Sequence, residues 1–178
     1  MRGFAEPRLR SAVSLAPLAV VLLLGPGACD RGGKVEPPTV HYGEDVCARC
    51  NMIVSEERFA TAYVADPGDG AIEPFVFDDI GCMFAHEKKN AGASVRGRWV
   101  HDAGDLRWIE AATAHFVRSP EIRSPMGSGI LAWATRESAD ASAGREKGEV
   151  LDYPELQAVD RDSGLLTPPT ATQSARGN

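Results

Sequence analysis

The sequence predicts an α+β domain built from two related ββαβ modules, and three observations carry that prediction. Short apolar runs rich in aromatic and β-branched residues alternate with Gly/Pro turns, as strands do. An acidic cap residue opens an apolar helical segment directly after the second of these runs. The same strand, strand, helix, strand order then recurs in the second half of the body.

Taken in order, Phe59-Ala60-Thr61-Ala62-Tyr63-Val64 reads as a strand, and Asp66-Pro67-Gly68-Asp69-Gly70 as the turn that ends it. Glu73-Pro74-Phe75-Val76-Phe77 is a second strand running into Asp78-Asp79. Asp79 is placed to cap a helix from Ile80 to about Asn90, which Gly92 would end. Arg98 to His101 is the third strand. In the second half Ala114-His115-Phe116-Val117 and Ile130-Leu131-Ala132-Trp133-Ala134 are strand-like. Ser119-Pro120 and Pro125-Met126-Gly127-Ser128-Gly129 form the loop between them. A weakly patterned helix from Glu137 to about Arg145 and a strand at Glu149-Val150-Leu151 follow, with Tyr153-Pro154-Glu155-Leu156 closing the module.

The ends of the chain are of different composition. Arg2, Arg8 and Arg10 precede an apolar run from Ser11 to Leu24 and then Gly25-Pro26-Gly27-Ala28, the order of a secretory signal peptide over residues 1–29. Cys29 follows at the position of a bacterial lipoprotein's acylated cysteine, although Pro26 stands where an aliphatic residue is usual. The expectation is an exported, periplasmic protein anchored to the membrane through Cys29. Residues 30–40 read as a flexible tether, 41–160 as the folded domain, and 161–178 as a disordered tail. The net charge of −6 argues against a nucleic-acid partner, which would demand clustered Lys and Arg. No nucleophile elbow, phosphate loop or HExxH motif is present, and the expectation is a protein that is not an enzyme.

The chemical message lies in sulfur. Cys47-Ala48-Arg49-Cys50 is a CxxC whose thiols can converge on one atom or oxidise to each other. Three cysteines remain after Cys29, an odd number in a compartment where exposed thiols pair, so one needs a metal or burial. Cys82 falls in the first turn of the Asp79-capped helix, where backbone N–H groups favour a thiolate, and His86 lies one turn later on the same face. Met83 is either a ligand or a core filler, and Met126 sits in a loop with little apolar company. His41, His101 and His115 are scattered, and capping accounts for Asp79. Thiolate and thioether suit copper(I), whereas Cys47, Cys50, Cys82 and His86 together also have the composition of a closed zinc site. Spacing leaves both open.

At these residues the sequence resembles the NosL family of nitrous oxide reductase accessory lipoproteins. The resemblance rests on Cys47-Ala48-Arg49-Cys50-Asn51-Met52-Ile53, Phe77-Asp78-Asp79-Ile80-Gly81-Cys82-Met83, Trp99-Val100, Trp108-Ile109-Glu110-Ala111 and Ser124-Pro125-Met126-Gly127-Ser128-Gly129-Ile130. Asn51 stands where many members carry glycine. The resemblance implies paired ββαβ modules similar to an organomercurial lyase domain. It also implies a periplasmic copper(I) chaperone for the maturation of nitrous oxide reductase in denitrification, working with that enzyme and its membrane assembly complex. The metal positions it implies are Cys47, Cys50, Met52, Cys82, Met83 and Met126. The alternative is a zinc- or disulfide-stabilised, membrane-tethered assembly module.

Overall fold

The computed structural model describes residues 35–163, so the expected signal peptide, Cys29 and the end of the tail lie outside the described residues. The first module comprises β1 (Thr61–Asp66), β2 (Glu73–Phe77), α1 (Ile80–Lys89) and β3 (Ser94–His101). The second comprises β5 (His115–Arg118), β6 (Ile130–Trp133), α2 (Arg136–Glu146) and β7 (Glu149–Leu151). Between them lies β4 (Trp108–Glu110), and α3 (Tyr153–Ser163) follows β7. All pairings within the two sheets are antiparallel, in the orders β2-β1-β3-β4 and β6-β5-β7. In each module the first strand is therefore central, flanked by the second and by the strand that follows the helix. The recurrence read from the sequence is a recurrence of topology.

Burial explains the strand patterns. β1 is the middle strand of its module and is buried along five of its six residues. Its partner β2 is an edge strand with exposed Glu73 and Pro74, and an edge is where proline is tolerated, because it cannot donate to a ladder. Phe59 precedes β1 in a 3-10 turn, Glu57–Phe59, so the apolar run begins one turn before the strand does. β4 is only three residues long, too short for alternation to reveal it, and owes its existence to pairing with β3.

Helix α1 buries its first five residues, Ile80 to Phe84, and exposes its Lys-containing end. Asp79 caps it as expected, its carboxylate accepting from Gly81 N at 2.7 Å. Helix α2 is polar and buries only the small Ala139 and Ser142, three residues apart on one face. The main core joins both modules: Tyr63, Phe77, Ile80, Met83 and Val100 from the first, Phe116 and Ile130 from the second, and Leu156 from α3. The closing segment after Tyr153 is thus a helix docked on the core.

Two aspartates fasten the modules together. Asp79 Oδ2 accepts from Ser124 Oγ at 2.7 Å and from Met126 N at 3.0 Å. Asp102, just after β3, accepts from Ala134 N at 2.6 Å, and Ala103 N donates to Ala132 O at 2.8 Å. Each carboxylate belongs to the first module and captures backbone N–H of the second.

His101 is 2% exposed, and its environment fixes its tautomer. Nδ1–H donates to Leu106 O at 2.6 Å, which leaves Nε2 to accept from Tyr42 OH at 2.7 Å. Burial holds its pKa below the ordinary value, and the fold therefore prefers the neutral ring. The stabilisation is complete above the unfolded value of about 6.5 and is lost as pH falls from there through the folded value. In urea denaturation from pH 8 to 5, the parent is expected to lose stability relative to His101→Gln below about pH 6.5.

Candidate metal centre

The centre begins with a hairpin at residues 43–54. Gly43 N donates to Val54 O at 2.8 Å, Val54 N to Asp45 O at 2.8 Å, and Cys47 N to Met52 O at 2.8 Å, with Val46 bridged to Ile53. The turn closes through Asn51 N to Cys47 O at 3.0 Å, with Asn51 left-handed at φ 63, a conformation asparagine tolerates better than most side chains. Ala48 N donates to Val76 O at 3.0 Å and pins this turn against β2. β2 then delivers Asp78 and Asp79, and α1 delivers Cys82 in its first turn.

These local constraints bring Cys47, Cys50, Asp78 and Cys82 together, with one donor atom from each lying within 4.8 Å of the others. Cys47, Asp78 and Cys82 are buried and Cys50 is half-buried, so access runs past Cys50. All three cysteines are free thiols. Cys50 Sγ donates to the Asp78 carboxylate at 3.5 and 3.6 Å. Around a metal with sulfur bonds of about 2.3 Å, tetrahedral donors sit roughly 3.8 Å apart, so the four atoms need only a small contraction to close on one ion.

The electrostatics divide the thiols. A hydrogen bond from the Cys82 thiol pulls the Cys47 pKa well down. That same contact, with burial, pushes Cys82 far up. Burial pushes Cys50 up as well. Asp78 is raised to about 6, first by desolvation and then by the neighbouring Cys47 sulfur. The three thiols share protons at close range, so a cation that takes all three as thiolates must displace protons.

The methionines occupy three environments. Met83 is fully buried in the main core. Met52 is 59% exposed on the hairpin. Met126 is half-buried against the core, and Asp79, the sequence neighbour of Asp78, holds its backbone N–H. His86 is not among the converging donors; its Nδ1 bonds Tyr63 OH at 2.6 Å within a ring cluster that includes Phe75 and Phe77. Asp78 is the member that sequence reading passed over. The signal was its adjacency to Asp79: neighbours at a strand end point apart, one to the helix cap and the other to the thiols.

The Met126 loop is shaped by glycine. Gly127 and Gly129 have φ of 75 and 68, and a Cβ on Gly129 would run into the Ser119 carbonyl oxygen. Gly129→Ala is expected to cost about 1–3 kcal/mol by thermal denaturation, because the left-handed strain and the backbone clash act together.

This chain is 25% identical over 150 residues to the copper-binding lipoprotein NosL of Stutzerimonas stutzeri, covering 78% of this chain and 77% of that protein. Its fold is similar to the crystal structure of the copper chaperone NosL from Shewanella denitrificans. That similarity has a TM-score of 0.57 at 18% identity and covers 67% of this chain and 94% of the other. Residues 38–159 match the NosL family model, which takes in the hairpin, both modules and the four converging donors, and the chain belongs to the NosL family.

Proposed function

We propose that this protein is a copper(I) carrier, not an enzyme, held at the periplasmic face of a membrane through an acylated Cys29. Its task would be to supply copper for maturation of nitrous oxide reductase or a related copper protein. The observation that carries this reading is the convergence of three free thiols on one point, two of them buried and one half-buried. Thiolates are soft donors that favour copper(I), and the half-buried Cys50 gives an incoming ligand a side from which to approach. Met126, held beside α1 by Asp79, would add a thioether to this set. Copper would then pass on by stepwise exchange of sulfur ligands with a receiving protein. The names of the relatives, a copper-binding lipoprotein and a copper chaperone, support the same reading.

A zinc-stabilised assembly module is the second reading, and Asp78 favours it, because an oxygen donor beside three sulfurs completes a closed zinc set. Anaerobic titration of the reduced protein with copper(I) against a competing chelator, run beside zinc(II), separates the two. The carrier reading expects one tightly held copper(I) that zinc does not displace. Stoichiometric zinc that copper(I) fails to replace would sink it. Loss of copper from nitrous oxide reductase in cells lacking this protein tests the client.

A further inference from the structure

The loop that carries Met126 also borders a cavity that no cysteine of the sulfur centre lines. The cavity, of about 670 Å³, is walled by that loop, by the end of β5 and by the turn that joins α2 to β7. In a chain of net charge −6, it gathers Arg118, Arg123 and Lys147 against a single acid, Glu149. Arg118 Nη2 is paired with Glu149, but its Nη1 is buried without a hydrogen-bond partner. Neither Arg123 nor Lys147 has an ion-pair partner among the described residues. Lys147 is held at the pocket by the left-handed C-cap of α2, at φ 51. Ser128 adds a hydroxyl to the wall.

Three cations with one counter-charge around a cavity of ligand size lack about two negative charges. Guanidinium and ammonium groups in such an arrangement match a phosphate group, whose oxygens accept from several donors at once. We infer that this pocket binds a phosphate-bearing anion, either free phosphate or the phosphodiester of an anionic lipid headgroup. Its wall includes Ser124, which donates to Asp79 and accepts from Gly129 N, so an occupant would touch the segment that presents Met126. The inference does not depend on copper, because none of the described cysteines lines the pocket.

The test uses the full-length, ¹⁵N-labelled protein in nonionic detergent. It is titrated with inorganic phosphate, with glycerophosphoglycerol as the lipid-headgroup diester, and with potassium chloride at matched ionic strength. The expected result is a saturable shift of amide signals around residues 118–129 and 147–149 with phosphate or the diester. The Arg123→Ala, Lys147→Ala double variant should weaken it at least about tenfold while copper(I) uptake stays unchanged. Saturation by phosphate identifies a free anion, and saturation by the diester alone identifies a headgroup. Absence of saturation with both ligands overturns the inference. So do equal shifts from chloride, or shifts that persist in the double variant.

Discussion

Replacing Cys82 with serine is expected to weaken copper(I) binding at least about a hundredfold, because a hard hydroxyl replaces a soft thiolate in a buried part of the centre. The fold should survive. Serine is close in size, and the new hydroxyl inherits the neighbours that the Cys82 thiol has now, the Cys47 sulfur and the Asp78 carboxylate. Competition against a copper(I) chelator gives the affinity, and far-ultraviolet circular dichroism checks the fold. The same variant carries a second readout. The Cys47 contact and burial push the Cys82 thiol up, so replacing it should lower the number of protons released per copper bound at neutral pH. Met126→Ala is the milder companion, expected to cost about tenfold. Affinity within twofold of the parent in both variants would refute the proposed ligand set.

Asp79→Ala is expected to be the most damaging single change to stability outside the large core side chains, by about 2–4 kcal/mol. Its carboxylate is fully buried and accepts from three donors: Gly81 N, Ser124 Oγ and Met126 N. Alanine removes the cap of α1, leaves Met126 N without its acceptor and leaves Ser124 Oγ only the longer contact to Ser128 Oγ at 3.3 Å. Thermal denaturation should show the loss, and Asp79→Asn, which keeps one oxygen acceptor, should recover part of it. A change below about 0.5 kcal/mol in Asp79→Ala would mean that water replaces the carboxylate without cost.

Much of the fold was legible because the signals were local. The second strand, Glu73–Phe77, and the last, Glu149–Leu151, fall where the apolar runs put them, and Asp79 caps its helix through the bond that its position implied. The misses are elements that depend on distant partners. β4 exists through its pairing with β3, and the helix after Tyr153 through docking of Leu156 in the core. The centre divides the same way. The CxxC spacing and the helix start announced Cys47, Cys50 and Cys82, but no spacing rule joins residue 47 to residue 78. The convergence required Ala48 N to pair with Val76 O, a contact that only the folded chain reveals. His86 follows the helical spacing toward Cys82, yet Tyr63 takes its ring nitrogen.

The two aspartate fasteners between the modules bear on how a sulfur site could let go of its cargo. Every thiol of the centre belongs to the hairpin and the first module, while Met126 belongs to the second, and near it the seam is held by the Asp79 bonds. The Asp102 contact to Ala134 and the Ala103 contact to Ala132 secure the seam elsewhere. Because the main core joins the two modules, only the loop that carries Met126 is free of that packing, and a receiving protein that broke its Asp79 bonds would draw Met126 away while the thiols stay in place. If Met126 is a ligand, the coordination number would then be a mechanical variable, set by the position of one loop.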